Sequence, residues 1–254
     1  VVLLHGLPGT ADDFDAVTAR LPGVHTIALD RPGFGFSSGG YHPLGEQLAT
    51  LDRLLARLGV RGPVVLVGHS YGGTLALAYA EERPRRVRGL VLVDAAAMGR
   101  RSSAFERAQS RLVQVLSWPV VRPLADATFS QLLRTASAEQ GDARAFEPGA
   151  VDPAHERRLL ALNMRRDDLA AYAGEQLHAD GVIEGVDARV AEIAAPAVVI
   201  QGARDQLVPA RYGRALAAAL PHARLALVSG GHMAPYVHPA LVAAAVRALL
   251  EPRR

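Results

Sequence analysis

Cysteine and lysine are both absent from the 254-residue chain, and aromatic residues make up only 5% of it. Without cysteine there is no disulfide framework and no thiolate metal site. All 28 basic side chains are therefore arginine, which we interpret as a coding bias because alanine is also abundant. The formal net charge is only +3, and the densest arginine cluster, Arg83 to Arg88, falls between a predicted helix and a predicted strand. The cluster is therefore expected to be a solvated loop rather than a nucleic-acid-binding surface.

Long hydrophobic runs are also missing, since no apolar stretch approaches the ~20 residues that a membrane-spanning helix needs. Half of the residues are nevertheless hydrophobic, which supports a sizeable core in one domain, or in one domain with an insertion. The chain begins with Val1 rather than methionine and enters a predicted strand at once. We therefore expect that an upstream segment was removed or not recorded, and whether it held a signal peptide or anchor stays open. On the residues present, a cytoplasmic location is expected.

The most informative stretch is Gly68-His69-Ser70-Tyr71-Gly72. It follows an apolar run rich in β-branched residues, Pro63 to Val67, which predicts a buried strand. It precedes Thr74 to Glu82, where good helix formers predict a helix. A strand, a Gly-x-Ser-x-Gly turn and a helix in this order are typical of a nucleophile elbow, which presents the serine hydroxyl at a helix N-terminus. Ser70 is therefore predicted to be a nucleophile; the alternative is a glycine-rich turn with an incidental serine.

Strands and helices alternate up to about residue 95 and again from about residue 196, which predicts a doubly wound, mostly parallel α/β sheet. From about Arg100 to Val182 the pattern is helical and contains no clear strand, which fits a lid or cap over a site. We therefore predict a core of residues 1–97 and 186–254 and a helical cap of residues 98–185. The most apolar run of the predicted cap, Leu112 to Phe129, is expected to form the hydrophobic core of the cap. The alternative is the mouth of an apolar substrate channel or a face that touches membrane.

A serine hydroxyl needs a base to take its proton, and the base is usually a histidine oriented by a carboxylate. Asp205 comes just after one predicted strand, and His232 follows the next strand in a glycine-rich loop. These two residues are therefore the predicted acid and base. Asp94 also ends a predicted strand and is the rival acid. Its structural alternative is a carboxylate that braces the turn into the insertion.

The oxyanion that develops during acyl transfer needs fixed hydrogen-bond donors. One predicted donor is the backbone N–H of Tyr71, and the other is that of Leu7, in the glycine loop after the first strand. We interpret His5, in the same loop, as structural. His69 occupies the variable position of the elbow, and its side chain is expected to point away from the reaction.

Cofactor and metal motifs are weak in this chain. Gly33-x-Gly35-x-x-Ser38 lacks the third glycine of a dinucleotide fingerprint, and the loop after the first strand has no P-loop lysine. No cluster of histidines and carboxylates has the spacing of a metal site. We therefore expect neither a cofactor nor a metal.

On these motifs the chain resembles the α/β-hydrolase superfamily, specifically its capped, lid-bearing serine hydrolases of the esterase and lipase kind. The resemblance covers nearly the whole chain outside the insertion. It implies a core of eight strands with the cap after the sixth, so that this chain would begin at the third strand and lack the first two. The motifs that carry it are His5-Gly6-Leu7-Pro8-Gly9, Asp30-Arg31-Pro32-Gly33-Phe34-Gly35-Phe36-Ser37, Gly68-His69-Ser70-Tyr71-Gly72-Gly73, Asp205 and Gly231-His232.

The resemblance implies a serine hydrolase that cleaves carboxylic esters of small to medium, fairly apolar substrates through an acyl-enzyme. The alternatives are a carbon–carbon bond hydrolase or amidase with the same triad, or a ligand sensor without activity. Carbon–carbon hydrolases usually carry tryptophan after the catalytic histidine, where this chain has Met233. Related dehalogenases and epoxide hydrolases use aspartate at the position of Ser70. The expected partner is a small ester, with no nucleic acid; the sequence assigns no oligomeric state.

Overall fold

The computed structural model describes residues 1–102, 104–116, 145–149, 152–163 and 165–251. Six strands form one parallel sheet in the order β2-β1-β3-β4-β5-β6. The predicted doubly wound parallel sheet is therefore confirmed. In chain order the strands are β1 (Val2–Leu4), β2 (Ile27–Leu29), β3 (Val64–His69), β4 (Val87–Val93), β5 (Ala197–Gly202) and β6 (Ala223–Val228).

Helices connect these strands and cover both faces of the sheet. Within the described residues they are α1 (Asp15–Thr18), α2 (Leu44–Arg57), α3 (Tyr71–Glu82), α4 (Ala104–Leu116), α5 (Pro153–Asn163), α6 (Arg166–Asp187), α7 (Ala210–Ala219), α8 (Ala234–Val237) and α9 (Pro239–Leu250). None of these helices is both long and apolar enough to cross a membrane.

Two apolar layers hold the sheet, because successive side chains of a strand point to opposite faces. In β3, Val64 and Leu66 join a layer with helices α2, α3, α6 and α7, whereas Val65 and Val67 join a layer with α1 and α9. All six residues of β3 are buried, which explains why the strand is a continuous apolar run rather than an alternating one.

The helical insertion leaves and rejoins the sheet at neighbouring strands. β4 ends at Val93, and β5, which pairs directly with it, begins at Ala197. Between them the described residues form α4, α5 and α6 and contain no strand. The cap limits at residues 98 and 185 remain predictions. Of the apolar run from Leu112 to Phe129, residues 117–129 lie outside the described part of the chain.

Helix α6 fastens the insertion to the core at both of its ends. Near its N-terminus, Asp168 accepts a hydrogen bond from Gly35 N–H at 2.9 Å. At its C-terminus, Asp187 accepts bonds from Met98 N–H at 2.6 Å and Gly99 N–H at 2.5 Å. One helix therefore spans from the loop after β2 to the segment after β4.

Candidate active site

The turn between β3 and α3 brings backbone segments too close for side chains. A Cβ at Gly68 would lie 2.5 Å from the Gly72 carbonyl oxygen, and a Cβ at Gly72 would collide with the carbonyl oxygens of Leu4 and His5. Ser70, between them, has a φ of 51°, a left-handed conformation that is uncommon outside glycine. Its N–H donates to the Val93 carbonyl at 3.0 Å, which fixes the turn against the end of β4. The motif predicted from the sequence thus forms a strained strand-to-helix turn with Ser70 at the N-cap of α3.

His232 and Asp205 meet behind this turn. The His232 Nδ1 atom lies 2.7 Å from Asp205 Oδ2, and both side chains are buried. The other carboxylate oxygen of Asp205 accepts bonds from the N–H groups of Leu207 at 2.8 Å and Val208 at 2.9 Å. Because Nδ1 faces a carboxylate, it carries the proton, and Nε2 keeps a lone pair that can accept another.

Burial and pairing act in opposite directions on these two groups. Burial opposes protonation of His232, but the hydrogen bond and charge of Asp205 outweigh it and raise the pKa of His232 above its ordinary 6.5. Burial also opposes ionisation of Asp205, but the hydrogen bond to His232 leads the effects that bring its pKa below 3.8. Both shifts favour an imidazolium beside a carboxylate. Such a pair suits a histidine that accepts a proton during catalysis.

His69 links the loop of His232 to the elbow. Its Nε2 donates to the His232 carbonyl oxygen at 2.9 Å, and the two ring centroids lie 4.9 Å apart. The expectation that its side chain points away from the reacting groups is therefore wrong. Burial, followed by the charge of His232, lowers the pKa of His69 to about 3, so the ring is neutral and serves to hold the loop.

The loop of His232 lies beside the elbow, because His69, the residue before Ser70, donates to the His232 carbonyl oxygen. In the described part of the chain no hydrogen bond links the Ser70 hydroxyl to the His232 ring. Nucleophile and base often stay loosely aligned until substrate binds, so this geometry is compatible with proton transfer.

The residues predicted to supply the oxyanion donors lie beside Ser70. A Cβ at Gly6 would lie 2.9 Å from the Ser70 Cβ atom, so the Gly6–Leu7 peptide passes directly beside the serine. Tyr71 begins α3, where backbone N–H groups have no partner in the helix. Within the described residues, neither the Leu7 N–H nor the Tyr71 N–H donates to a protein acceptor. Two free donors beside Ser70 can hold a developing negative charge.

Asp94, the rival acid, has a different set of partners. Its Oδ1 accepts from Gly202 N–H at 2.7 Å, and its Oδ2 accepts from Ala234 N–H at 3.2 Å. The Gln201 side-chain amide lies 3.2 Å from both Asp94 Oδ1 and Asp205 Oδ2. Asp94 therefore braces the end of β5, before Asp205, and the start of α8, after His232, whereas its structural alternative placed it on the turn into the insertion. Burial raises its pKa to about 7.

A metal ion would have to compete with these hydrogen bonds. His69, Asp94 and His232 bring ligand atoms within 4.8 Å of one another. However, both Asp94 oxygens accept backbone bonds, and His232 Nδ1 is engaged by Asp205. The arrangement therefore suits proton transfer better than metal binding.

Sequence reasoning missed a buried ion pair beside the glycine loop. Arg31, after β2, lies 2.5 Å from Glu175 on α6, and both side chains are almost fully buried. The only local signal was the position of Arg31 in the motif around Asp30, because Glu175 lies 144 residues away in the chain.

Comparisons with known proteins bear on the family and the fold. A family model described as alpha/beta hydrolase fold matches residues 1–239. The pimeloyl-[acyl-carrier protein] methyl ester esterase of Xanthomonas campestris is 32% identical over 243 residues, which cover 93% of this chain and 88% of that protein. Lipase 1 of Psychrobacter immobilis is 35% identical over 99 residues, which cover 38% of this chain and 31% of the lipase.

Solved structures share the fold at lower identity. An alpha/beta hydrolase fold protein from Burkholderia ambifaria superposes with a TM-score of 0.80 at 24% identity, covering 96% of this chain and 88% of its own. The haloalkane dehalogenase DbeA from Bradyrhizobium elkani gives a TM-score of 0.76 at 20% identity, covering 98% and 89%. At these identities the likeness establishes the fold alone.

Proposed function

The chain belongs to the alpha/beta hydrolase fold family, and from that premise we propose that it is a serine esterase whose triad is Ser70, His232 and Asp205. The observation that carries the proposal is the 2.7 Å contact between His232 Nδ1 and Asp205, next to the elbow that presents Ser70. The full-length similarity to an enzyme named as a methyl ester esterase supports carboxylic esters as the substrate class.

The reaction follows from the roles of these groups. The Ser70 oxygen attacks the ester carbonyl carbon while its proton passes to His232 Nε2. The N–H groups of Leu7 and Tyr71 hold the negative oxygen of the tetrahedral intermediate. When that intermediate collapses, His232 returns the proton to the leaving alcohol and Ser70 keeps the acyl group. Water then attacks the acyl carbon while His232 takes its proton. As this second intermediate collapses, His232 gives the proton to the Ser70 oxygen, and the acid leaves.

The insertion is proposed to form a cap over this site, with residues 98–185 as its limits. The ties between α6 and the loops after β2 and β4 support that role, because both loops lie at the same edge of the sheet as Ser70. We propose small to medium, fairly apolar acyl esters as substrates, methyl esters included.

Labelling with a fluorophosphonate probe tests the triad directly. Wild type should gain one adduct by intact mass, and Ser70→Ala should gain none. The same variant should lose roughly 10⁶-fold in kcat on p-nitrophenyl esters, as expected when a triad serine is removed. Retention of esterase activity by Ser70→Ala would contradict the proposal. Turnover of a ring-cleavage diketone without ester hydrolysis would favour a carbon–carbon hydrolase instead.

A further inference from the structure

We propose that Arg31 is a positioning residue that aims the Leu7 N–H at the reacting carbonyl oxygen, and that Glu175 on α6 holds Arg31 in place. The inference rests on the proposed function, because it concerns the oxyanion donors of the same site. It assigns a role in the reaction to a buried ion pair that links the insertion to the core.

Arg31 grips the backbone of the glycine loop at two carbonyl groups. Its Nε donates to the His5 carbonyl oxygen at 3.1 Å, and its Nη2 donates to the Gly6 carbonyl oxygen at 2.8 Å. The Gly6 carbonyl and the Leu7 N–H belong to one planar trans peptide, so they point in opposite directions. By fixing the direction of the Gly6 carbonyl, Arg31 fixes the direction of the Leu7 N–H.

His5 holds the same carbonyl from a second side. Its Nε2 accepts from the Arg31 backbone N–H at 2.9 Å, so its proton lies on Nδ1, which is 2.9 Å from the Gly6 oxygen. Burial, followed by the positive charge of Arg31, lowers the pKa of His5 well below 6.5. The ring is therefore a neutral, fixed donor, and the Gly6 carbonyl accepts two converging hydrogen bonds.

Glu175 and Gln47 remove the freedom that the guanidinium would otherwise have. Arg31 Nη1 lies 2.5 Å from Glu175 Oε1 and 3.1 Å from the Gln47 side-chain oxygen. The Gln47 amide in turn donates to the same Glu175 oxygen at 2.7 Å. Four hydrogen bonds thus direct the guanidinium, two to the loop and two to this pair.

The guanidinium also contacts the second proposed donor residue. Its central carbon lies 5.5 Å from the centre of the Tyr71 ring and 4.6 Å from that of Phe34. A buried ion pair contributes little net stability on its own, because desolvation offsets the attraction. The buried pair of Arg31 and Glu175 is better explained by the direction that Arg31 imposes on the loop beside Ser70.

Arg31→Lys tests this role, because a lysine keeps the charge for Glu175 but lacks the fork that reaches two carbonyls. The matched control is Arg83→Lys, at an arginine that pairs with Asp52 at 2.5 Å beside the C-terminus of α3. Each variant is assayed on p-nitrophenyl butyrate and on its thiono analogue, in which sulfur replaces the carbonyl oxygen. Sulfur is a weak acceptor, so the thionoester depends less on an aimed N–H.

We expect Arg31→Lys to lose roughly 10- to 100-fold in kcat on the oxygen ester with little change in KM, since an oxyanion donor is misaimed rather than deleted. The loss on the thionoester should be much smaller, so the ratio of the two rates falls. Arg83→Lys should keep the wild-type ratio. Glu175→Gln, which keeps an acceptor but removes the charge, should lower the ratio in the same direction by less, and it decides the matter if Arg31→Lys does not fold.

A folded Arg31→Lys variant that keeps the wild-type ratio, because it loses activity equally on both substrates or loses none, would overturn the inference. The esterase proposal would be unaffected. A wild-type protein that takes no fluorophosphonate adduct would instead overturn the proposed function, and the inference with it. The labelled fraction of each variant is counted by intact mass before the rates are compared.

Discussion

Two buried carboxylates lie near His232, and their hydrogen bonds give them different roles. Asp205 faces the imidazole at 2.7 Å, whereas Asp94 accepts backbone N–H groups of the flanking loops. Proximity alone would not distinguish them, since both side chains are buried and both follow strands. The proposed orienting acid is therefore Asp205, and Asp94 keeps the loops in register.

Asp205→Asn should lower kcat by roughly 10⁴-fold, because an amide favours the wrong tautomer of His232. The acidic limb of kcat/KM should also move. His232 acts as a base only when it is neutral, and its raised pKa places the limb above 6.5 in the wild type. Without the Asp205 carboxylate, burial dominates and lowers the pKa of His232, so the acidic limb moves to lower pH. Rate profiles from about pH 5 to about pH 9 measure this, and an unmoved limb would refute the assignment.

Some residue-level features were open to prediction, and others were not. Ser70, Asp205 and His232 could be proposed because each follows a strand in a recognisable loop. The pairing of Arg31 with Glu175 could not, because no local pattern joins residues that distant. The direction of the His69 side chain depends on how the loop of His232 folds back over the elbow, which local sequence does not specify.

Two helical glycines differ in the room available for a side chain. Gly72 lies in the first turn of α3, against the carbonyl oxygens of Leu4 and His5, where a Cβ would collide with backbone. Gly181 lies within α6, where a Cβ would meet nothing within 4 Å. The first is required by close approach, whereas the second only costs helix stability.

Gly72→Ala should therefore destabilise the protein by about 3 kcal/mol or more, since backbone cannot easily yield to an added methyl group. Gly181→Ala should raise the free energy of unfolding by about 0.5–1 kcal/mol, because alanine loses less conformational freedom in a helix. Chemical denaturation of the two variants measures both effects. Equal changes in the two would show that room at the elbow is not the constraint.

Element boundaries differ from expectation where tertiary contacts dominate. The sequence alone predicts one helix from Asp12 to Leu21, whereas the structure has a 3₁₀ turn, Ala11–Phe14, followed by the short α1. The Asp30 carboxylate accepts the Ala11 N–H at 2.8 Å, which fixes the start of that turn from outside its own sequence. By contrast, the apolar runs from Val87 to Val93 and from Ala223 to Val228 predict two strands, and β4 and β6 have these bounds.

At the scale of the whole molecule, several buried carboxyl groups have raised pKa values, because burial disfavours their charged form. Burial raises the pKa of Asp13 to about 7, and burial likewise raises those of Asp94 to about 7 and Asp168 to about 6. Asp13 is also repelled by the neighbouring carboxylates of Asp12 and Asp30. Its Oδ1 has no hydrogen-bond partner among the described residues. A folded chain with such groups holds protons that the unfolded chain releases.

The contribution of Asp13 to stability should consequently fall as the pH rises from about 4 to about 7. In that range the folded Asp13 carboxyl binds more protons than the unfolded one, so its contribution to the free energy of unfolding decreases until the pH exceeds the folded pKa. Asp13→Asn should raise Tm at pH 8 and change it little at pH 4, close to the ordinary pKa of 3.8. Thermal melts of the wild type and the variant at both pH values test this. A gain at pH 4 as large as that at pH 8 would contradict it.

Because β4 pairs directly with β5, the insertion between them can evolve faster than the sheet. Because the chain leaves the sheet at Val93 and returns at Ala197 on the neighbouring strand, the insertion can change in length and sequence without altering strand register. Descendants of one ancestor can therefore change the insertion while the core is retained. Helix α6 is the exception, since Glu175 is committed to Arg31. Among relatives, Arg31 and Glu175 should be conserved together or replaced together, even where the rest of the insertion is too different to align.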